Sequence, residues 1–414
     1  MQSVSFLRSI QRCVIHKMRD PIYINDFAVL NALGNNKQEV AKALLANVSP
    51  LTPYDKLFSG RQTYVGKMDC QLDALPSQYE AIECHNNRML FKAFQEIKPV
   101  YDALAKKTDR HRIGVILGTS TSGILEGEKS FTHYMQTGEM LDDFHYHQQE
   151  FGTMAEFLTE LAEAKGPCYV ISTACSSSGK AFLSAKRLIS SGLCDICIVG
   201  GADSLSELPL NGFDALDSVT KSICQPFGQD RDGINIGEGA ALFVLSKTPA
   251  DLALLGGGET SDAYHITSPD PEGEGAKQAM LNALKDANLN PSDIAYVNAH
   301  GTATPKNDQM ESKAIFEVFG GKVLCSSTKP LTGHTLGAAS ATELALCALL
   351  LLDEHNPNHR LPAQISTTEL DCELSNIQLT NEESVWEKPC LLSNSFAFGG
   401  NNVSLIIARA NEGS

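Results

Sequence analysis

Read for its hydrophobic and polar positions, the chain alternates between apolar β-rich runs and longer stretches of helical length. "RIGVILGTS", "CYVISTAC", "CDICIVGGAD", "GAALFVLSK", "IAYVNAHG", "KVLCSST" and "LLSNSFAFGG" are apolar at consecutive rather than alternate positions. Such runs suit strands covered on both faces by helices. Between them, "AFLSAKRLISSG" and "GAASATELALCALLLLDEH" have helical length and composition, and "MRDPIYINDFAVLNALG" opens strand-like sequence at Met18. The alternation predicts the α/β class.

No short-period repeat is visible, but a long-range echo is. "CYVISTACSSSGKAFLSAKRLI" and "KVLCSSTKPLTGHTLGAASATELALCALL" share one plan: a strand, Ser-Thr, a turn, then a helix rich in small residues. Two halves of related layout would produce it. The Gly/Ser/Pro/Asp-rich segment from Gly256 to Gly275 is the expected boundary region, which divides the chain near residue 250. The expected organisation is an extension at 1–20, a first half at 21–250 and a second at 251–414. The extension is read as a start called too far upstream or as disordered. Arg8, Arg12, Lys17 and Arg19 without an acid faintly suggest a transit peptide instead.

Composition narrows the function. A formal charge of −16 argues against nucleic acid or an anionic membrane as the main partner. The longest apolar run, "LALCALLLL", falls short of the roughly 20 residues a membrane span needs. Twelve cysteines, irregularly spaced and often inside apolar runs, read as core thiols of a cytoplasmic protein rather than a disulfide framework. Cys194 and Cys197 form a C-x-x-C, but strand-like sequence is a poor setting for paired metal ligands. "HYH" at 145–147 reads as a polar surface segment.

Four segments share one format, a strand ending in a turn with reactive or small residues. They hold Cys175 in "STACSSS", His300 in "NAHGTATP", Lys329 and His334 in "SSTKPLTGH", and Phe398 in "NSFAFGGNN". Sites in α/β sheets gather where strands end and helices begin. Cys175 has two readings, a small residue that lets a helix pack closely or a nucleophile. In the second, a helix N-terminus moves the thiol below its ordinary value of about 8.5. Lys329, at a strand end, needs a carboxylate or water, and Glu343 in "ASATELALCALL" is the candidate partner.

Together these motifs resemble those of the elongating, Cys-His-His type of β-ketoacyl-acyl-carrier-protein synthase. The resemblance runs from about residue 22 to 409. "STACSSS" is similar to that family's nucleophile motif and "HGTATPKND" to its first histidine motif. "STKPLTGHTLGAA" is similar to the lysine and second histidine motif, and "NSFAFGGNN" to the C-terminal glycine loop. The resemblance implies a thiolase-type fold of two topologically similar halves in five αβαβα layers. It also implies a dimer, either of identical chains or with a related chain-length-factor subunit.

Cys175 would carry the acyl group, His300 and His334 would stabilise an enolate, and Lys329 with Glu343 would set the charge balance. The N–H groups of Cys175 and Phe398 would form an oxyanion hole, with Phe398 gating the malonyl side on a loop freed by Gly399 and Gly400. Thr302, Thr304 and Phe396 would meet the substrate arm, and Arg88 the acyl carrier protein. No metal or tightly held cofactor is implied, since phosphopantetheine arrives on the carrier.

Departures from the family pattern qualify the pathway. Gln225 in "QPFGQDRDG" replaces a basic residue, which suggests a dedicated carrier. Thr121 in "LGTSTSGILEG" stands where an aliphatic residue is usual at the acyl-pocket floor. It would line a polar floor or bond its own backbone. Ala397 and Asn307 replace glycines, and "MLDDFHYHQQEFGTMAEFLTELAEAKG" is unlike the common sequence. These point to a specialised pathway, such as aryl polyene biosynthesis. Housekeeping fatty-acid elongation and the active half of a heterodimer remain alternatives. A cysteine hydrolase would leave Lys329 and the second histidine without a use, and a degradative thiolase typically needs a second cysteine near the C-terminus.

Overall fold

The computed structural model describes residues 21–366 and 369–410; the expected extension at 1–20 lies wholly outside them. Each apolar run becomes a strand. The first half contains β1 (Ile22–Asn31), β2 (Ile113–Gly118), β3 (Cys168–Ile171), β4 (Ile196–Asp203) and β5 (Gly239–Ser246). The second contains β6 (Leu252–Ser261), β7 (Tyr296–Asn298), β8 (Leu324–Ser326), β9 (Cys390–Ala397) and β10 (Asn401–Arg409).

The strand order is β1-β5-β4-β2-β3 in the first half and β6-β10-β9-β7-β8 in the second. The pairing senses also agree. In each half the first and last strands pair antiparallel, the last and fourth antiparallel, and the second lies parallel to both the fourth and the third. The echo between the two sequence segments therefore reflects one topology used twice. The sheets meet through β1 and β6, with Ile22 opposite Leu254.

Helices α1 (His85–Ala105), α2 (Ile124–Thr137), α3 (Thr153–Leu161), α4 (Ser177–Ser190) and α5 (Glu207–Ala215) belong to the first half. Helices α6 (Glu274–Ala287), α7 (Pro305–Phe319) and α8 (Ala339–Leu351) belong to the second. α1 and α3 cover the outer face of the first sheet and α6 the outer face of the second, while α4 and α8 pack on each other and touch both sheets. The result is five alternating layers. Every residue of α8 is buried, which explains the "LALCALLLL" run: a helix apolar all round belongs in the middle of a large core. Among the described residues, no helix is long and apolar enough to cross a membrane.

One expectation is corrected. The glycine-rich boundary segment begins inside β6, because those glycines are packing contacts rather than loop residues. A Cβ on Gly256 would stand 2.4 Å from the Ala283 carbonyl oxygen, and one on Gly258 only 2.1 Å from that of Ala279. Without side chains there, α6 can lie directly on the strand.

Candidate active site

β3 ends, and four residues later the chain places Cys175 just ahead of α4. The turn is tight: Ala174 takes a left-handed φ of +50°, and Thr173 N–H donates to Ser177 Oγ at 2.8 Å. The small residues that follow do pack closely, since a Cβ on Gly179 would lie 2.5 Å from Val403 Cγ1. The close-packing reading of "STACSSS" therefore applies from Gly179 onward, past Cys175 itself.

His300 follows β7, and its imidazole stacks edge-on against that of His334, with ring centroids 5.3 Å apart. His334 is seated by the first half: its N–H donates to Asn235 carbonyl oxygen at 2.7 Å and its carbonyl accepts from Gly237 N–H at 3.0 Å. His334 Nε2 stands 2.9 Å from Cys175 Sγ. One donor atom from each of Cys175, His300 and His334 lies within 4.8 Å of the others. All three residues are buried.

Burial dictates the charge states. It pushes the Cys175 thiol up to about 11, against the pull of the Lys329 ammonium and the backbone N–H groups of Phe398 and Cys175. Desolvation of the thiolate thus works against the lowering expected from the helix end. Burial, then the Lys329 charge, holds both imidazoles well below their ordinary value, with His334 adding to the effect on His300. The rings are therefore neutral near pH 7.

Lys329 and Glu343 pair at 2.5 Å, both almost inaccessible. Lys329 Nζ also donates to the His300 carbonyl oxygen and lies 3.3 Å from His300 Nδ1. An ammonium only donates, so Nδ1 is the acceptor and the ring proton sits on Nε2. Burial raises Glu343, which Lys329 opposes.

A cavity of about 290 Å³ opens from Cys175, lined by His300, His334, Thr302, Thr304, Phe396 and Phe398 among others. A second, of about 210 Å³, reaches the sulfur from another side past Ser120, Thr121, Ala174, Leu336 and Phe398. Phe398 thus borders both, packed on Phe213 with centroids 5.4 Å apart. Thr302 and Thr304 bond each other at 2.8 Å. Gly399 and Gly400 take φ of +81° and +75°, the left-handed region where glycine is unstrained.

One expected residue behaves differently. Thr121 neither offers its hydroxyl to the cavity nor bonds its own backbone; it donates to Asp203 at 2.7 Å. Arg88, expected to meet the carrier protein rather than to line a cavity, pairs with Glu83 on a partly exposed surface. Cys194 and Cys197 are buried core thiols, and the eleven described cysteines are all free. "HYH" is exposed.

The sequence reading missed Asp308 and Glu311 on α7. Glu311 accepts the N–H groups of His300 and Gly301, each at 2.7 Å, and Asp308 accepts that of Phe227 at 2.8 Å. Burial pushes Glu311 up to about 7 and Asp308 to about 6. Their signal was available: both lie on the helix face of Met310, Ala314 and Ile315, where an acid is out of place.

Residues 19–250 match the β-ketoacyl synthase N-terminal domain and residues 253–360 its C-terminal domain. The chain belongs to the β-ketoacyl synthase family. A 3-oxoacyl-[acyl-carrier-protein] synthase 2 of Coxiella burnetii is 31% identical, the match covering 94% of this chain and 98% of the relative. A ketosynthase of Xenorhabdus doucetiae, solved in complex with its chain length factor, is 46% identical with a TM-score of 0.90, over 94% of this chain and 98% of that one. A β-ketoacyl synthase of Burkholderia phymatum is 26% identical with a TM-score of 0.81, over 95% and 100%. The synthase thus has the thiolase-type fold of these neighbours, and it is an acyltransferase.

Proposed function

We propose that the protein performs a decarboxylative Claisen condensation between a malonyl unit and an acyl group held on Cys175. The observation that carries this reading is the meeting of one thiol and two neutral imidazoles at the end of a cavity. The resting thiol is protonated, and His334 Nε2, 2.9 Å away, is placed to take that proton as sulfur attacks the incoming thioester. The departing pantetheine thiolate recovers it. A malonyl thioester then enters, its carbonyl oxygen facing the His300 Nε2–H and, once the His334 ring proton has moved from Nδ1 to Nε2, that of His334. Carbon dioxide leaves, and those donors stabilise the enolate. The carbanion attacks the acyl carbonyl on Cys175, whose oxyanion meets the N–H groups of Cys175 and Phe398 that already face the sulfur. Collapse breaks the carbon–sulfur bond, releases a chain two carbons longer, and the thiolate takes up a proton. Lys329, tied to Glu343, orients His300.

The partners follow from this chemistry. Malonyl and acyl groups arrive on an acyl carrier protein whose phosphopantetheine arm passes Thr302, Thr304 and Phe396, with Gly399 and Gly400 letting Phe398 move. Arg88, whose side chain is 39% exposed, is a candidate contact for the acidic carrier. No tightly bound cofactor or metal enters the scheme, and the free thiols suit the cytoplasm. The outer edge of β3 pairs with no other strand among the described residues, and α2 exposes Phe131, Tyr134 and Met135. Both features support a dimer. The likeness to a ketosynthase solved with a chain length factor favours a heterodimer in a specialised pathway such as aryl polyene biosynthesis. The relative named as 3-oxoacyl-[acyl-carrier-protein] synthase 2 supports housekeeping fatty-acid elongation as the alternative.

Intact-protein mass after incubation with acyl carriers tests the reading. An acyl adduct is expected on the protein and absent from Cys175→Ala. His300→Ala and His334→Ala are expected to lose release of carbon dioxide from malonyl carrier; normal release by both would refute their assigned role.

A further inference from the structure

A buried carboxylate stands behind the second cavity. Asp203, the last residue of β4, has no solvent exposure. Burial raises its pKa, opposed by hydrogen bonds from Thr119, Thr121 and Ser120. Oδ1 accepts from Thr119 Oγ1, Thr121 N and Thr121 Oγ1, each at 2.7 Å, and from Ser120 N at 2.8 Å. Oδ2 accepts from Ala338 N at 2.9 Å, with a longer contact from Ser120 N at 3.1 Å.

The two oxygens therefore divide between the halves. Oδ1 gathers the loop after β2, and Oδ2 reaches the 3-10 turn Leu336–Ala338, which follows His334 by two residues. Close approach there depends on Gly337, where a Cβ would stand 2.7 Å from Ser120 N and 2.8 Å from Asp203 Oδ2. Leu336 is held at a left-handed φ of +51°, a costly conformation for a residue with a branched side chain. Ser120, Thr121 and Leu336 all line the second cavity, whose walls also include Cys175. With its hydroxyl turned to Asp203, Thr121 presents the remainder of its side chain to that wall.

We propose that Asp203 is a positioning residue which clamps the cavity wall of the first half to the His334-bearing turn of the second, and so sets which acyl chains Cys175 accepts. The inference rests on the reading of Cys175 as acyl acceptor and of this cavity as the space for the acyl chain. An amide cannot replace the carboxylate, because its NH2 would face an N–H it should accept from.

The test is the initial rate of Cys175 acylation by acyl-carrier thioesters of increasing chain length, with KM for malonyl carrier measured alongside. In Asp203→Asn the rate for long chains is expected to fall about tenfold relative to acetyl, the scale of one lost buried charge-assisted hydrogen bond. The KM for malonyl carrier should stay within about twofold, since it reports the other cavity. Thr121→Val removes one donor at constant shape and should shift the same ratio in the same direction, less far; it decides the matter if Asp203→Asn does not fold. A fall shared equally by all chain lengths, or an unchanged ratio, overturns the proposal. Failure of the unsubstituted protein to take up any acyl group would instead overturn the Cys175 reading, and this inference with it.

Discussion

At the scale of single residues, the site is a lesson in how far burial outranks local dipoles. Sequence placed Cys175 correctly ahead of a helix but could not weigh the helix end against desolvation, because burial depends on residues more than a hundred positions away. With the thiol pushed up to about 11, alkylation by iodoacetamide should keep accelerating with pH from 7 to 10. A plateau reached near 8.5 would contradict it. The four motif residues Cys175, His300, Lys329 and His334 were legible because each follows a strand in a recognisable string. Asp203 was not, since it acts by accepting N–H and O–H groups whose direction only the fold reveals, and Asp308 and Glu311 showed only as acids on an apolar helix face, with no sign of the N–H groups they accept.

At the scale of elements, each quoted apolar run became the strand expected of it, since continuous hydrophobicity bounded by turns suits a buried strand. β6 is the informative addition, a strand that none of those runs predicted. Its Gly256-Gly257-Gly258 run reads as loop, yet each glycine accepts a neighbour's close approach, α6 on one face and Leu183 on the other. Gly258→Ala would force the helix from the strand. The expected cost is about 1–3 kcal/mol, the range for overpacking a close-packed core, read as a lower urea midpoint with unchanged slope. An exposed control such as Gly192→Ala, where no atom lies within 4 Å of the added carbon but φ is +76°, should lose only the smaller cost of backbone strain.

At the scale of the molecule, the repeated topology was visible only as an echo, because the halves share strand order while their loops and inserted helices differ. The open edge of β3 and the exposed Phe131, Tyr134 and Met135 of α2 belong to the first half. In sedimentation the protein, alone or co-expressed with a related subunit, is expected at the mass of two chains, and Phe131→Asp combined with Met135→Asp at that of one. A two-chain mass retained by the double variant would move the interface elsewhere.

The duplication has a consequence for how activity fails. The sulfur belongs to one repeat, and both imidazoles with their ammonium belong to the other, so neither copy of the topology is chemically competent alone. Any slippage along the seam between them separates Cys175 from His334 while leaving both sheets intact. Turnover should therefore vanish on heating before the bulk of the secondary structure melts.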